Sequence, residues 1–593
     1  MSLATIIPVS RRIDWSYVGV SGGIPTNYTQ SGSTIASTGD TTDRLAVIQA
    51  AIDTAAATGS KFVLLGAGSF TISATIILKN GVVLRGMGPE LTTIRGNCSL
   101  IQIREYQARD EPVALFAGTS AAKGDTSIRL ASSPTLLGVG MVMQIQEDND
   151  ARIVTGIEGD SGPWAMGQWV KVTGISESPA SHTYTFEPPL SAAYVTGNNP
   201  RVRFNFLNAG GTSRNFIRHA GIEDLKLVNT NEGFVWNVDF SFAEECWMKN
   251  VKSEGGSTAH VWLFDSYRCE IRTCHFNGVI GDITSSRGYA VQLGTPNSGL
   301  PPDKTTGLLF IDNIVEKTRG GIILGYGASG CVVAYNFFVH MVSDAIYPDE
   351  SLHQKPCISL HSNFPMMNLI EGNICDGLGV AADMFHGNGY WNTVHRNWLK
   401  GHEVGKANGL LSIELDYQHR YYNAIGNVLG YPNILADIVA LGGTSRKRVL
   451  AGVDAHSYNN DYAGFMLGYY GIGGGTTIID AQVAATLAAH GNYDYVTPAG
   501  QSWETTNTNV VDYTIRVIPD SGFLSSKPAF FGDLAWPPID PSNPGILTDW
   551  VIPAGYRYTY GSIPPGGGQH LPPIIVPPTG TYAVPQQVTI TIS

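Results

Sequence analysis

Only 15% of this chain is charged, so the residues able to do chemistry are few and their spacing matters. Four stretches can be laid side by side as strands: Ile322-Ile-Leu-Gly325, Ile358-Ser-Leu-His361, Asp383-Met-Phe-His386 and Ser412 to Asp416. In that alignment Leu324, Leu360, Phe385 and Leu415 face inward. Two-residue alternation then sends Gly325, His361, His386 and Asp416 outward, with Ser359, Met384 and Glu414 two residues earlier. Adjacent parallel strands lie about 4.8 Å apart, so His361, His386, Glu414 and Asp416 are predicted to converge on one exposed patch. Two carboxyl groups roughly 5–10 Å apart, one protonated and one ionised, are what glycosidic hydrolysis requires. Glu414 and Asp416 fit that range, and a histidine beside a carboxylate can hold a proton and position substrate or water. The same pattern also describes an ordinary solvated face.

Other residues could join them. Asp383 falls where Ile322 and Ile358 stand in neighbouring strands, and an acid there is costly unless paired. It is therefore either a structural hydrogen-bonding group or a catalytic carboxyl of raised pKa. Asp349, Glu350 and His353 lie in a long interval between repeats, where they could bind substrate, supply an acid or form a calcium ligand set. Tyr390, Trp391 and Tyr417, with His419 and Arg420, are candidates for stacking on and holding sugar rings, although aromatic side chains also fill turns. Arg272, Ala334, Glu371 and His395 share one repeat position on another face and read mainly as groups turned toward water.

The elements that must position these groups repeat. A six-residue frame recurs as Cys269-Glu-Ile-Arg-Thr-Cys274, Leu308-Leu-Phe-Ile-Asp-Asn313, Cys331-Val-Val-Ala-Tyr-Asn336, Asn368-Leu-Ile-Glu-Gly-Asn373, Asn392-Thr-Val-His-Arg-Asn397 and Tyr422-Asn-Ala-Ile-Gly-Asn427. Glu245 to Asn250 is a weaker copy. The final positions lie 24, 39, 23, 37, 24 and 30 residues apart, which implies coils of 23–24 residues, some carrying loop insertions. Stacked asparagine amides can hydrogen-bond from coil to coil. No coil can bury its inner face alone, so stacking must create the core.

Ahead of the repeats, Leu45, Ile48, Ala51, Ile52 and Ala55 recur at helical spacing, with Asp40 or Thr42 as N-cap and Gly59 past the end. Short strand-like runs follow: Phe62-Val-Leu-Leu, Phe70-Thr-Ile, Thr75-Ile-Ile-Leu and Val82-Val-Leu-Arg. The segments Gly39-Asp-Thr-Thr-Asp, Ile48-Gln-Ala-Ala-Ile-Asp, Gly66-Ala-Gly-Ser-Phe and Val83-Leu-Arg-Gly-Met-Gly resemble the N-terminal part of the pectate-lyase-like superfamily, which includes polygalacturonases and phage tailspikes. The resemblance implies an all-β, right-handed, single-stranded parallel β-helix, a solenoid whose open end the helix caps. The polygalacturonase motifs Asn-Thr-Asp, Asp-Asp, Gly-His-Gly and Arg-Ile-Lys are not present in that arrangement, so no catalytic role carries over. Within the tail, Pro577-Pro-Thr-Gly-Thr-Tyr-Ala-Val-Pro-Gln-Gln-Val-Thr-Ile is similar to the opening of the chitobiase C-terminal β-sandwich type.

Four regions are expected: an N-terminal cap and first coils over 1–104, a β-rich insertion on the helix side over 105–205, coils and a C-terminal cap over 206–540, and a proline-rich linker leading into a following module over 541–593. The net charge of −12 with no basic block argues against nucleic acid, and no apolar run approaches the ~18 residues of a membrane span. The composition excludes a disordered chain, and 69 glycines without a three-residue period exclude collagen. Seven cysteines with no C-x-x-C pair read as buried thiols. The expectation is a secreted carbohydrate-active protein whose partner is a polysaccharide or oligosaccharide, with no required cofactor and calcium as an option. A glycoside hydrolase is favoured; a lyase acting on a uronate polymer and a non-catalytic binding or adhesin β-helix are the alternatives.

Overall fold

The structure is a computed structural model, and it describes residues 2–104, 108–109, 114–134, 137–154, 163–178, 181–203, 206–207, 216–281, 287–294, 304–342, 354–443, 446–451, 462–469, 479–497 and 500–567. Among them the chain winds as a parallel β-helix, as the resemblance implied. One sheet of 22 strands and another of eleven run the length of the coil, and the strand pairs that build them are parallel. Inside, a continuous core runs from Ile35 to Leu487, built from the inward members of each coil. Six cysteines are buried and Cys98 is half-buried, all as free thiols.

The repeated frame gives the solenoid its corner. Asn313, Asn336, Asn373, Asn397, Asn427 and Asn492 form a ladder: each Nδ2 up to Asn427 donates to the Oδ1 of the next at 2.9–3.0 Å. Each Oδ1 also accepts the preceding asparagine's backbone N–H. A shorter ladder joins Asn368 to Asn392 at 2.9 Å. The residue before each ladder asparagine makes the bend, with φ of 59° at Asp312, 57° at Tyr335, 67° at Gly372, 49° at Arg396 and 66° at Gly426. That left-handed conformation strains an ordinary residue, so the buried amide ladder that fixes the corner also holds the strain.

Leu45–Ala56 is the capping helix, and it buries Ile48, Ile52 and Ala55 on the end of the core. Its first turn is capped by Asp43, whose Oδ1 accepts the Leu45 N–H at 3.0 Å, rather than by Thr42. The insertion forms a six-stranded antiparallel sheet over strands between Ala114 and Arg203. It does not stay on the helix side. Its core closes over Phe364, Met366, Met367 and Tyr390, in the middle of the solenoid, because those residues extend its apolar face.

The region predicted as an extended linker is packed through residue 567. Pro553–Tyr560 is a helix, and Arg557 pairs with Asp312 at 2.7 Å. Residues 510–554 place Val510, Ile518, Phe530, Phe531, Ile539 and Ile552 against the outer face of the 22-stranded sheet. This strap also overturns the reading of Glu371 and His395 as surface groups. Glu371 accepts from Ser521 Oγ at 2.5 Å, Gly522 N at 2.6 Å and Tyr335 Oη at 2.8 Å, and burial pushes its pKa up to about 7. His395 Nε2 lies 3.1 Å from the Pro519 carbonyl. No helix among the described residues is long and apolar enough to cross a membrane.

Candidate functional site

The site lies on the eleven-stranded sheet, where Gly320–Gly325, Pro356–His361, Leu378–Asp383, Leu411–Leu415 and Tyr462–Leu467 pair in parallel. Its register differs from the sequence alignment by three residues in one strand. Val380, Ala381, Ala382 and Asp383 pair with Ile358, Ser359, Leu360 and His361. Asp383 therefore stands in the His361 column rather than at the Ile358 position, and His386 lies beyond the strand. Val380 and the small Ala382 fill the inner face here, and the larger Met384-Phe385 pair is the more conspicuous apolar signal in the sequence. Met384 is buried, whereas Phe385, expected inward, is 38% exposed.

Asp416 joins the same column from the next coil. Leu415 pairs with Ala382, and the Asp416 N–H donates to the Ala382 carbonyl at 2.9 Å. His361 Nδ1 sits 2.9 Å from both carboxylate oxygens of Asp383. The two carboxyl groups are driven apart electrically. Burial raises Asp383, but the His361 charge and hydrogen bond, with the Phe385 N–H, outweigh it and hold Asp383 below the usual aspartate range. Burial, then the charges of Glu414 and Asp383, push Asp416 well above that range. Asp416 Oδ2 accepts the Met384 N–H at 3.3 Å, and a side-chain hydrogen bond with Glu414 further favours its protonated form.

Glu414 is buried between Ala381 and Met466 of the adjoining strands, in an apolar outer cluster with Leu378, Leu411 and Ala463. His386 stands edge-on to His361, ring centroids 4.7 Å apart. The open side is formed by His361 and Asp383, whose side chains keep 21% and 28% exposure, and by Phe385. The Phe385 ring lies near-parallel to His361 and edge-on to His386, which holds it upright.

His419 lies behind the carboxylates. It is fully buried; Nε2 donates to the Asp383 carbonyl at 3.0 Å, and Nδ1 accepts the Gly389 N–H at 3.2 Å with Tyr422 Oη 3.0 Å away. Burial lowers its pKa to about 4, so the ring is neutral and fixes the backbone of Asp383 rather than facing a ligand. After His361 the chain turns through Ser362, Asn363 and Phe364 at φ of 72°, 46° and 63°. Such conformations cost of order 1–3 kcal/mol each. Here they deliver Phe364 into the insertion's core.

The remaining candidates are placed differently from the acid column. Tyr390 is buried in the insertion's core, and Trp391 packs on Phe364 with Arg152 over its ring at 5.8 Å. Arg420 pairs with Asp480 at 2.7 Å, and Tyr417 is half-buried with its N–H bonded to the Tyr469 carbonyl. Asp349, Glu350 and His353, and with them the calcium candidate, lie outside the described residues. Among the described residues no three His, Cys, Asp or Glu side chains are grouped to hold a metal. Nothing in the sequence pattern pointed to Phe385 as exposed or to His419 as a support.

No protein-family model matches this chain, and no curated protein does. Several solved structures align with it. The tailspike gp61 of Pseudomonas phage phi297 covers 75% of this chain and 76% of its own, at 11% identity and a TM-score of 0.38. The tailspike gp49 of Pseudomonas phage LKA1 covers 71% and 70%, at 14% identity and a TM-score of 0.37. PfbA, a surface adhesin of Streptococcus pneumoniae, covers 70% and 86%, at 11% identity and a TM-score of 0.34. At TM-scores of this size they add nothing to the architecture read directly from the strand pairing.

Proposed function

We propose that this chain is an extracellular glycoside hydrolase acting on a polysaccharide, with Asp416 as general acid and Asp383 as the ionised partner. The observation that carries this reading is a pair of carboxyl groups on adjacent coils whose surroundings push their pKa values in opposite directions. Such a split assigns acid and base within one site. Asp416 is only 1% exposed, so its carboxyl turns toward the open side to deliver its proton to the glycosidic oxygen as the bond to the anomeric carbon breaks. Asp383 either takes a proton from the attacking water or attacks that carbon itself. Water supplies hydroxide to one sugar, and the departing sugar keeps the proton from Asp416. Glu414, expected as one of the two catalytic carboxylates, acts instead through Asp416, because its charge helps keep that neighbour protonated. His361 keeps Asp383 charged.

The test is a panel of plant, algal and microbial polysaccharides assayed for new reducing ends and for ultraviolet-absorbing products. Reducing ends alone are expected. Unsaturated products would replace the hydrolase by a lyase, and binding without either product would leave a carbohydrate-binding β-helix.

The rate should follow a bell-shaped pH profile. Activity needs Asp383 ionised and Asp416 protonated. It should fall in acid below the usual aspartate range, and its alkaline limb, set by Asp416, should lie well above the ordinary aspartate pKa. A profile that already collapses above pH ~5, as an ordinary aspartate of pKa about 3.9 would give, counts against Asp416 as the acid.

Phe385 offers an apolar platform for a sugar ring at the open side. Phe385→Ala should raise KM on the order of tenfold, a loss of ~1.4 kcal/mol, with kcat little changed; Phe385→Tyr should restore KM.

A further inference from the structure

A second concavity lies on the 22-stranded sheet, not on the sheet that carries Asp383. It is a groove of about 710 Å³ between the first coils and the strap. Its floor is a column of bend residues. Glu223, Lys249, Arg272 and Ile311 are register partners from coil to coil, so the residues that follow them, Asp224, Asn250, Thr273 and Asp312, stack at one corner. All four are left-handed, with φ of 57°, 51°, 56° and 59°. Asn250 Nδ2 donates to Asp224 Oδ1 at 2.8 Å; Asp224 is buried, while Asn250 and Thr273 stay half-exposed. Burial first, and then the charge of Glu223 beside it, push Asp224 up to about 6. The walls are apolar: Met87 and Leu91 on the coil side, Phe530, Ile563 and Pro564 on the strap.

The charge pattern narrows what can sit there. Every cation lining the groove has a carboxylate partner: Arg85 with Glu223 at 2.7 Å, Lys252 with Glu254 at 3.4 Å, His275 with Glu316 at 3.0 Å and Arg557 with Asp312 at 2.7 Å. An anionic polymer would meet acidic groups on the floor and no uncommitted positive charge on the rim. A peptide cannot add as a strand, because the strands beneath are paired on both sides. What fits is a ligand with hydroxyl edges for a floor of stacked acid, amide and hydroxyl groups, and apolar ring faces for the walls.

We infer that this groove is a second binding site, separate from the acid column, for a neutral oligosaccharide of roughly two to three sugar rings, the size that pockets of this volume hold. The floor repeats at the coil spacing of about 4.8 Å, so successive rings pass the half-exposed Asn250 and Thr273 in turn. The strap supplies one wall, so the site exists only when residues 530–564 are docked.

Hydrogen exchange on the full chain carrying Asp383→Asn tests this without turnover. The probes are neutral hexasaccharides of glucose, galactose and N-acetylglucosamine at millimolar concentration, with oligogalacturonate as the anionic comparison and a proline-rich peptide as the apolar one. At least one neutral hexasaccharide should slow exchange at residues 86–91 and 250–252. Leu91→Trp, which fills the groove from an exposed position, should weaken that binding tenfold or more, while the Asp383 strand keeps its own exchange pattern. Protection by none of the neutral sugars, equal protection by oligogalacturonate, or protection by the peptide alone would each overturn the proposal. Because the readout is confined to these two stretches, its failure leaves the hydrolase reading of Asp383 and Asp416 untouched, and the reverse also holds.

Discussion

Asp416→Asn is expected to lower turnover by about 10²- to 10⁴-fold, the usual contribution of a positioned general acid, while leaving the fold at least as stable. The rate effect follows because an amide cannot give a proton to the leaving oxygen. The stability effect follows from the sign of the shift. Asp416 has a folded-state pKa raised above its unfolded value. The stability that its protonated form contributes is complete below the unfolded pKa, about 3.9, and is lost as pH rises through the folded pKa. Asparagine carries no charge to bury, so thermal unfolding of the variant at alkaline pH should occur at or above the parent temperature. Asp383→Asn should be equally inactive but behave oppositely. Its folded pKa is depressed, so its ionised form contributes stability above the unfolded value, and the contribution is lost as pH falls through the folded pKa. That variant should therefore lose stability at neutral pH, because His361 loses the carboxylate beside its Nδ1. Hydrolysis rates and melting curves across pH check both. Near-parent turnover in Asp416→Asn would remove the general acid, and Glu414→Gln with a larger loss than Asp416→Asn would return the role to Glu414.

The second large effect concerns the corner ladder. Asn373→Leu should destabilise the chain by on the order of 3–6 kcal/mol, because each buried polar group left without its partner costs about 1–3 kcal/mol. Asn373 Oδ1 accepts both the backbone N–H and the Nδ2 of Asn336, and its own Nδ2 donates to the Val333 carbonyl and to Asn397 Oδ1. A leucine side chain replaces none of these four bonds; only Asn397 Oδ1 keeps a donor, the backbone N–H of residue 373. Asn373→Asp should cost less, since its oxygens can still accept from Asn336. The ladder also supports the left-handed residues beside it, so loss of Asn373 should loosen the bends at Tyr335 and Arg396. Those two residues bind the strap, Tyr335 through Trp536 Nε1 and Arg396 through the carbonyls of Pro519, Ile518 and Ile539. Chemical denaturation should give the loss directly, and protease sensitivity within residues 510–560 should rise in the leucine variant. Unchanged stability in Asn373→Leu would show that the ladder is not what holds the corner.

The legible parts of the molecule were those dictated by local repetition. The asparagine frame could be read because each ladder position has the same job, a buried amide bridging one coil to the next. It was followed only to Asn427, since the next ladder member, Asn492, comes 65 residues later and breaks the spacing. His361, Asp383, Glu414 and Asp416 could be picked out because rare charges on apolar strands are conspicuous. Their roles could not be read, because Asp383 and Asp416 differ in what surrounds them and not in residue type.

By itself the sequence determined the solenoid, the capping helix and the neighbourhood of the acid column, since periodic burial and turn chemistry depend on residues a few positions apart. The tertiary structure alone decided the rest. Parallel register put Asp383 opposite His361, a choice that the small Ala382 on the inner face left open. The insertion settled over Phe364 and Tyr390, and the strap buried Glu371 and His395, because apolar surfaces hundreds of residues apart are matched only when the chain has wound. Proton affinity was decided last, by burial and by the charges that winding brought within a few ångströms of each carboxyl group.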